Sequence, residues 1–98
     1  MSITVTREGN NAVISIRGQF NFSLHRQFRD AYEKFPPTTP MVVDLAGVQY
    51  LDSSALGMLL LLHEHCGGEK SNITVRGCNP KVAQILQVAN FKKLMKFL

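Results

Sequence analysis

Apolar positions change period several times along the chain, and each change marks an element. Ile3-Thr4-Val5-Thr6-Arg7 alternates with period two, as a strand with one buried face does. Glu8-Gly9-Asn10-Asn11 reads as a turn, and residues 12–17 as a second strand carrying Val13, Ile14 and Ile16. Together these predict an opening β-hairpin whose second strand ends at Gly18. The period then becomes helical. Leu24, Phe28, Ala31, Tyr32 and Phe35 form one stripe over residues 23–35, with Asn21 or Ser23 available as a cap and Pro36-Pro37 as the stop.

Met41-Val42-Val43-Asp44-Leu45 is a short, largely apolar run of the kind found in central strands. The next helix is predicted to start at Ser53 or Ser54 and run to about Cys66, ended by Gly67-Gly68. Leu56, Leu59, Leu60 and His63 fall on one face of it. Leu61 and Leu62 widen the apolar arc, which places Leu62 in a covered or an exposed patch. Ile73-Thr74-Val75-Arg76 is another short strand. Pro80 suits the first turn of a last helix with Val82, Ile85, Leu86 and Ala89 inward. Residues 91–98 fit a short strand or a turn of helix. The order strand, strand, helix, strand, helix, strand, helix predicts an α/β fold: a mixed, mostly parallel sheet with helices packed against it.

A length of 98 residues with 45% hydrophobic content fits one domain, 1–98, around one modest core. The formal charge of +4 favours nucleic acid or an acidic protein partner in principle. However, Arg7, Arg17, Arg26, Arg29, Lys34, Lys70, Arg76 and Lys81 are scattered, and only Lys92, Lys93 and Lys96 group together. Direct nucleic-acid binding is therefore not expected. The longest apolar stretch, around residues 59–62, is too short to span a bilayer, and the polar, alternating start is not a secretory leader.

Catalytic and metal-binding patterns fail on spacing. His63 and His65 are two apart on a helix and point in different directions. No H-E-x-x-H motif, zinc-type cysteine spacing, G-x-S-x-G elbow or P-loop is present. Cys66 and Cys78 read as two reduced thiols. No metal and no cofactor are expected.

One segment stands out: Leu51-Asp52-Ser53-Ser54-Ala55-Leu56-Gly57, continued by the apolar run from Met58 to Leu62. Asp and Ser are favoured helix caps, yet one cap suffices and three small polar residues are present. A phosphate added at such a helix start would change the charge seen by any partner docked over it.

Asp52-Ser53-Ser54-Ala55-Leu56-Gly57 resembles the signature of the STAS family, specifically the bacterial anti-sigma factor antagonists. The resemblance covers nearly the whole chain. It takes in the hairpin, Gly18-Gln19-Phe20-Asn21 before the first helix, Met41-Val42-Val43-Asp44-Leu45, and Val75-Arg76-Gly77-Cys78-Asn79-Pro80-Lys81-Val82. It implies a single STAS domain, cytoplasmic and not an enzyme. The unphosphorylated antagonist would bind an anti-sigma factor, often itself a serine kinase, and so release the sigma factor. That kinase would phosphorylate the first serine after the signature aspartate, here Ser53, and a PP2C-type serine phosphatase would reverse it. Asp52 and Ser54 would flank the switch. Ala55 and Gly57 match small positions that let a partner approach. Gly18, Phe20 and Asn21, with Met58 and Leu62 on the second helix, would complete the partner surface.

Two departures from the family pattern are visible. Asn21 stands where many antagonists carry an acid, so it can cap without supplying charge. The sequence also ends at Phe97-Leu98, where many relatives continue into a last helix. Phe91, Leu94, Met95, Phe97 and Leu98 would then either pack locally or form a surface covered by a dimer or a bound partner. The family also contains small soluble subunits of lipid-transport and stress-signalling complexes, which is the alternative role.

Overall fold

A computed structural model describes residues 2–98. These residues form five strands and three α-helices. The strands are β1 (Ile3–Glu8), β2 (Asn11–Phe20), β3 (Met41–Leu51), β4 (Ile73–Arg76) and β5 (Lys96–Phe97); the helices are α1 (His25–Glu33), α2 (Ser53–His65) and α3 (Pro80–Val88). The strands make one sheet in the order β1-β2-β3-β4-β5. Only β1–β2 is antiparallel; the other three pairings are parallel. This is the α/β, mostly parallel arrangement that the alternation of elements predicts.

All three helices cover the same face. Ile3, Ala12, Ile14, Ile16, Met41, Val43, Leu45, Ile73 and Val75 alternate onto that face and join one core with Phe28 and Tyr32 of α1, Leu59 and Leu62 of α2, and Val82 and Leu86 of α3. Phe28 is the hub of the α1 side. Its ring meets Phe20 edge-on at 5.3 Å and Tyr32 at 5.5 Å, contacts each contributing about 0.5–1.5 kcal/mol beyond burial.

The opposite face is polar: Thr4, Ser15, Asp44 and Arg76 stand in one row across the sheet. Arg76 donates from Nε to Asp44 (3.1 Å) and from both terminal nitrogens to Glu8 (3.0 and 2.9 Å). The Glu8 and Asp44 rows lie on either side of the Val13–Val42 row. The guanidinium therefore arches over Val13 and Val42, which explains why both are buried on an otherwise open face.

Several boundaries differ from expectation. β2 does not end at Gly18 but runs on to Phe20, and β3 continues six residues past Leu45, to Leu51. Both extensions contain register shifts. Their inward residues on β3 are Leu45, Val48 and Leu51, spaced by three because each bulge inserts one extra residue. Gly18 takes φ +88° at one shift, a conformation that costs a residue without a β-carbon little.

In α2 the inward residues are Ala55, Met58, Leu59, Leu62 and His63. Leu60, expected inward, is 43% exposed, and Leu62 is fully buried. In α3, Val82 and Leu86 are buried and Ala89 lies exposed beyond the helix end. Residues 91–98 contain both a 3-10 turn (Phe91–Lys93) and the short strand β5. Phe91 and Met95 are buried in the core, Leu94 and Phe97 pack partly against it, and Leu98 is exposed.

Candidate functional site

The bulged ends of β2 and β3 lie side by side, with Phe20 paired to Leu51. Directly after each strand stands a residue that caps the next helical segment. Asp52 has extended backbone, and its Oδ1 accepts from the N–H groups of Ser54 (3.0 Å) and Ala55 (3.2 Å). The same oxygen accepts from the Ser54 hydroxyl at 2.5 Å. The Ser54 hydroxyl, then the Ala55 and Ser54 N–H groups, hold the Asp52 carboxyl below the usual carboxylate range, against opposing desolvation.

This capping divides the three polar residues by task. Asp52 and Ser54 satisfy the helix start and each other. Ser53, the first residue of α2, is exposed, and among the described residues its hydroxyl has no hydrogen-bond partner. Capping therefore does not account for Ser53.

Asn21 repeats the plan one strand away. Its Oδ1 accepts from Ser23 N–H (3.0 Å) and the Ser23 hydroxyl (2.6 Å), opening a 3-10 turn (Phe22–Leu24) that leads into α1. The residue after this cap, Phe22, projects outward at 67% exposure and stacks on His25 at 5.0 Å between ring centroids. Phe22, His25, Ser54, Gly57, Met58 and Leu61 line a hollow of about 260 Å3 between the two helix starts.

The outward ridge of α2 is Ser53, Gly57, Leu60, Leu61 and Glu64. A β-carbon built on Gly57 would meet nothing in the chain. Internal packing thus does not require glycine there, although glycine inside a helix costs about 1 kcal/mol relative to alanine.

The expected partner residues divide accordingly. Gly18, Gly57 and Ser53 are exposed, and Asn21 and Ser54 are partly exposed and held in their caps. Phe20, Ala55 and Leu62 are fully buried in the core. They lie beneath the exposed residues, not among them. Met58, only 3% exposed, reaches the surface as part of the hollow's lining. Sequence reasoning, which placed the loop from Gly18 to Phe22 and the exposed face of the second helix in the partner surface, did not single out His25 and Leu61. The available signal for this neighbourhood was the repeated spacing Asn21-Phe22-Ser23 and Asp52-Ser53-Ser54, in which the middle residue of each cap is turned out.

The other polar groups have packing roles. His65 Nε2 lies 3.1 Å from the Phe35 carbonyl oxygen, with its ring against Tyr32, tying α2 to the end of α1. Burial pushes the thiols of Cys66 and Cys78 up, and both are free, the reverse of a reactive cysteine's setting. Among the described residues no group of three His, Cys, Asp or Glu side chains could hold a metal ion, and no helix is long and apolar enough to cross a membrane.

Known proteins share this fold and, in part, this sequence. Residues 3–96 match the family model described as "Mlab, STAS domain". A STAS-domain containing protein of Pseudomonas aeruginosa (strain UCBPP-PA14) is 48% identical over 99 residues, covering 98% of both chains. In three dimensions the chain is similar to an anti-sigma factor antagonist from Mycobacterium paratuberculosis (TM-score 0.81, 20% identity, covering 97% of this chain and 82% of that one). It is also similar to the anti-sigma factor antagonist SpoIIAA in its unphosphorylated form (TM-score 0.80, 14% identity, covering 98% and 87%). The chain belongs to the STAS domain family.

Proposed function

We propose that this STAS domain is an anti-sigma factor antagonist switched by phosphorylation of Ser53. The unphosphorylated form binds an anti-sigma factor, itself a serine kinase or allied to one, and thereby frees the sigma factor. Phosphorylation ends the complex and a PP2C-type serine phosphatase restores it. The observation that carries this reading is the free, exposed Ser53 hydroxyl at the first position of α2, set beside a cap that Asp52 and Ser54 already complete. The fold shared with two anti-sigma factor antagonists supports it.

Charge supplies the switch. A phosphoserine brings roughly −1.5 to −2 charges at neutral pH. A helix N-terminus ordinarily tolerates an anion through its free N–H groups, but here Asp52 already occupies those of Ser54 and Ala55. The new phosphate would therefore lie outward, next to a second carboxylate, where a docked partner must desolvate both. Phosphorylation acts on the interface and leaves the fold intact. Gly57 supports the same surface: one turn beyond Ser53, it lets a partner's atoms approach the α2 backbone, with Phe22, Met58 and Leu61 as apolar contacts. A partner complex would need ~800 Å2 from this side, so the ridge of α2, the hollow and the Gly18–Asn21 segment act together.

Phosphosite mapping after incubation with the native kinase fraction tests the assignment. The phosphate is expected on Ser53, absent in Ser53→Ala and present in Ser54→Ala. Undiminished phosphorylation of Ser53→Ala would contradict it. The alternative, a subunit of a lipid-transport or stress-signalling complex, is favoured only by the family model's description as Mlab. It predicts stable recovery with transporter components whatever the state of Ser53.

A further inference from the structure

The chain after α3 builds a separate hollow at the β5 edge of the sheet. Asn90 takes φ +63° and turns the backbone out of α3 into the 3-10 turn. Phe91 and Met95 are drawn into the core, which leaves Lys92 and Lys93 between them exposed. Lys96 follows on β5, paired with Thr74 of β4, and its Nζ donates to Asn72 Oδ1 at 3.4 Å. Lys92, Lys93 and Lys96, with Ser71, Ile73 and Met95, line a hollow of about 190 Å3. It shares no residue with the hollow between the two helix starts.

The charges around this hollow are unbalanced. No carboxylate lines it, and among the described residues none of the three lysines forms an ion pair. Glu69, two residues before Ser71, is exposed and stands outside the lining, and no Asp or Glu follows it in the sequence. The Ser71 hydroxyl is half-buried and has no hydrogen-bond partner among the described residues. Three ammonium groups around one concavity repel one another, and an anion seated among them removes that cost. The kind of anion follows from the side chains. A guanidinium fork matches a planar carboxylate, whereas a lysine is a point charge with three donors, suited to the oxygens of a phosphate. This hollow has lysines and no arginine. Its small extent, with the remaining cations scattered along the chain, offers no track for a nucleic-acid backbone.

We propose that this hollow binds a compact, multiply charged phosphate, a diphosphate or a terminal phosphate monoester, with Lys92, Lys93 and Lys96 around its oxygens and the Ser71 hydroxyl donating to it. A free small anion and the headgroup of a phospholipid present the same chemistry. Because the lysines are exposed, binding is weak and salt-sensitive. Ser53 plays no part in it.

The test titrates the full, isotope-labelled chain with inorganic pyrophosphate at constant ionic strength and follows the amide resonances. Shifts are expected at Ser71, Lys92, Lys93 and Lys96, and are expected to be absent with citrate, a carboxylate anion of similar charge. Affinity should fall about tenfold or more in the triple variant Lys92→Gln, Lys93→Gln, Lys96→Gln. It should be unchanged in Lys81→Gln, which removes an exposed lysine outside the hollow. The replaced side chains are exposed, so thermal unfolding of the triple variant should match the wild type. Cosedimentation with phosphatidylcholine vesicles containing phosphatidic acid separates the two sources: a headgroup ligand gives vesicle binding that pyrophosphate displaces, and a free anion gives none. No shifts at these residues, equal shifts with citrate, or an equal loss of affinity in Lys81→Gln and the triple variant would overturn the proposal. So would tighter binding of duplex DNA through the same three lysines.

Discussion

Asn21 and Asp52 cap neighbouring helical segments from the ends of neighbouring strands, and their bonds to the serine two residues on correspond atom for atom. Each Oδ1 takes the N–H and the hydroxyl of the serine two residues on. Each cap leaves its middle residue outside the bonding scheme. At Asn21 that residue is Phe22, an exposed aromatic ring stacked on His25; at Asp52 it is Ser53, an exposed hydroxyl that among the described residues has no partner. Two further differences matter. Asp52 also binds the Ala55 N–H and carries a charge; Asn21 caps a short 3-10 turn and carries none. The capping geometry thus fixes where the middle residue projects and leaves its chemistry free. In this chain the two projections are an exposed aromatic ring and an exposed hydroxyl.

Perturbing the two caps separately distinguishes their roles, and the largest effect is expected at the middle positions. Introducing a charge by Ser53→Asp should weaken partner binding toward the hundredfold range, about 2.7 kcal/mol. Ser23→Asp, at the capping serine of the other site, should do less; calorimetric titration against the captured partner checks both. Leu61→Asp, between the two caps and 49% exposed, should cost about tenfold in the same titration and leave thermal stability within about 0.5 kcal/mol.

Stability should separate the caps in turn. Asp52→Ala removes a cap from a 13-residue helix and should cost about 1–2 kcal/mol in urea unfolding, against about 0.5–1 kcal/mol for Asn21→Ala. Gly57→Ala should move the two readouts in opposite directions. It should stabilise the fold by up to about 1 kcal/mol and weaken binding, because the new methyl occupies the partner's approach.

The smallest effect is a pH dependence that one cap has and the other lacks. Asp52 has a folded pKa below its unfolded value. Its contribution is therefore complete above the ordinary carboxylate pKa of about 3.9 and disappears as pH falls through the lower folded value. Glu8 is shifted the same way by Arg76. The stability difference between the wild type and Asp52→Asn, measured by urea unfolding from neutral to strongly acid pH, isolates the cap. That difference should shrink on acidification.

The regular parts of the fold are legible in the sequence because their side chains keep one period. The α1 stripe and the strand pattern of residues 3–7 and 41–45 come from spacing alone. The ends of β2 and β3 are not legible. The bulges space Leu45, Val48 and Leu51 by three, which imitates a helical pattern and hides a strand. The face of α2 is harder still, since Leu59 to Leu62 are four consecutive leucines and periodicity cannot say which points inward. Spacing puts Leu60 on the face of Leu59 and leaves Leu62 either covered or exposed, whereas the core takes Leu62 and exposes Leu60 and Leu61. At the site, the polar trio is conspicuous in sequence. The assignment of capping to Asp52 and Ser54, and Phe22 as a neighbour of the hollow, need the three-dimensional arrangement.

The most direct test of the Ser53 switch is a comparison of unmodified and Ser53-phosphorylated protein as bait in the native extract, with partner identification by mass spectrometry. The unmodified form is expected to recover an anti-sigma factor and the phosphorylated form to lose it. Equal recovery by both forms would contradict the switch and reduce Ser53 to an ordinary exposed residue of a helix start.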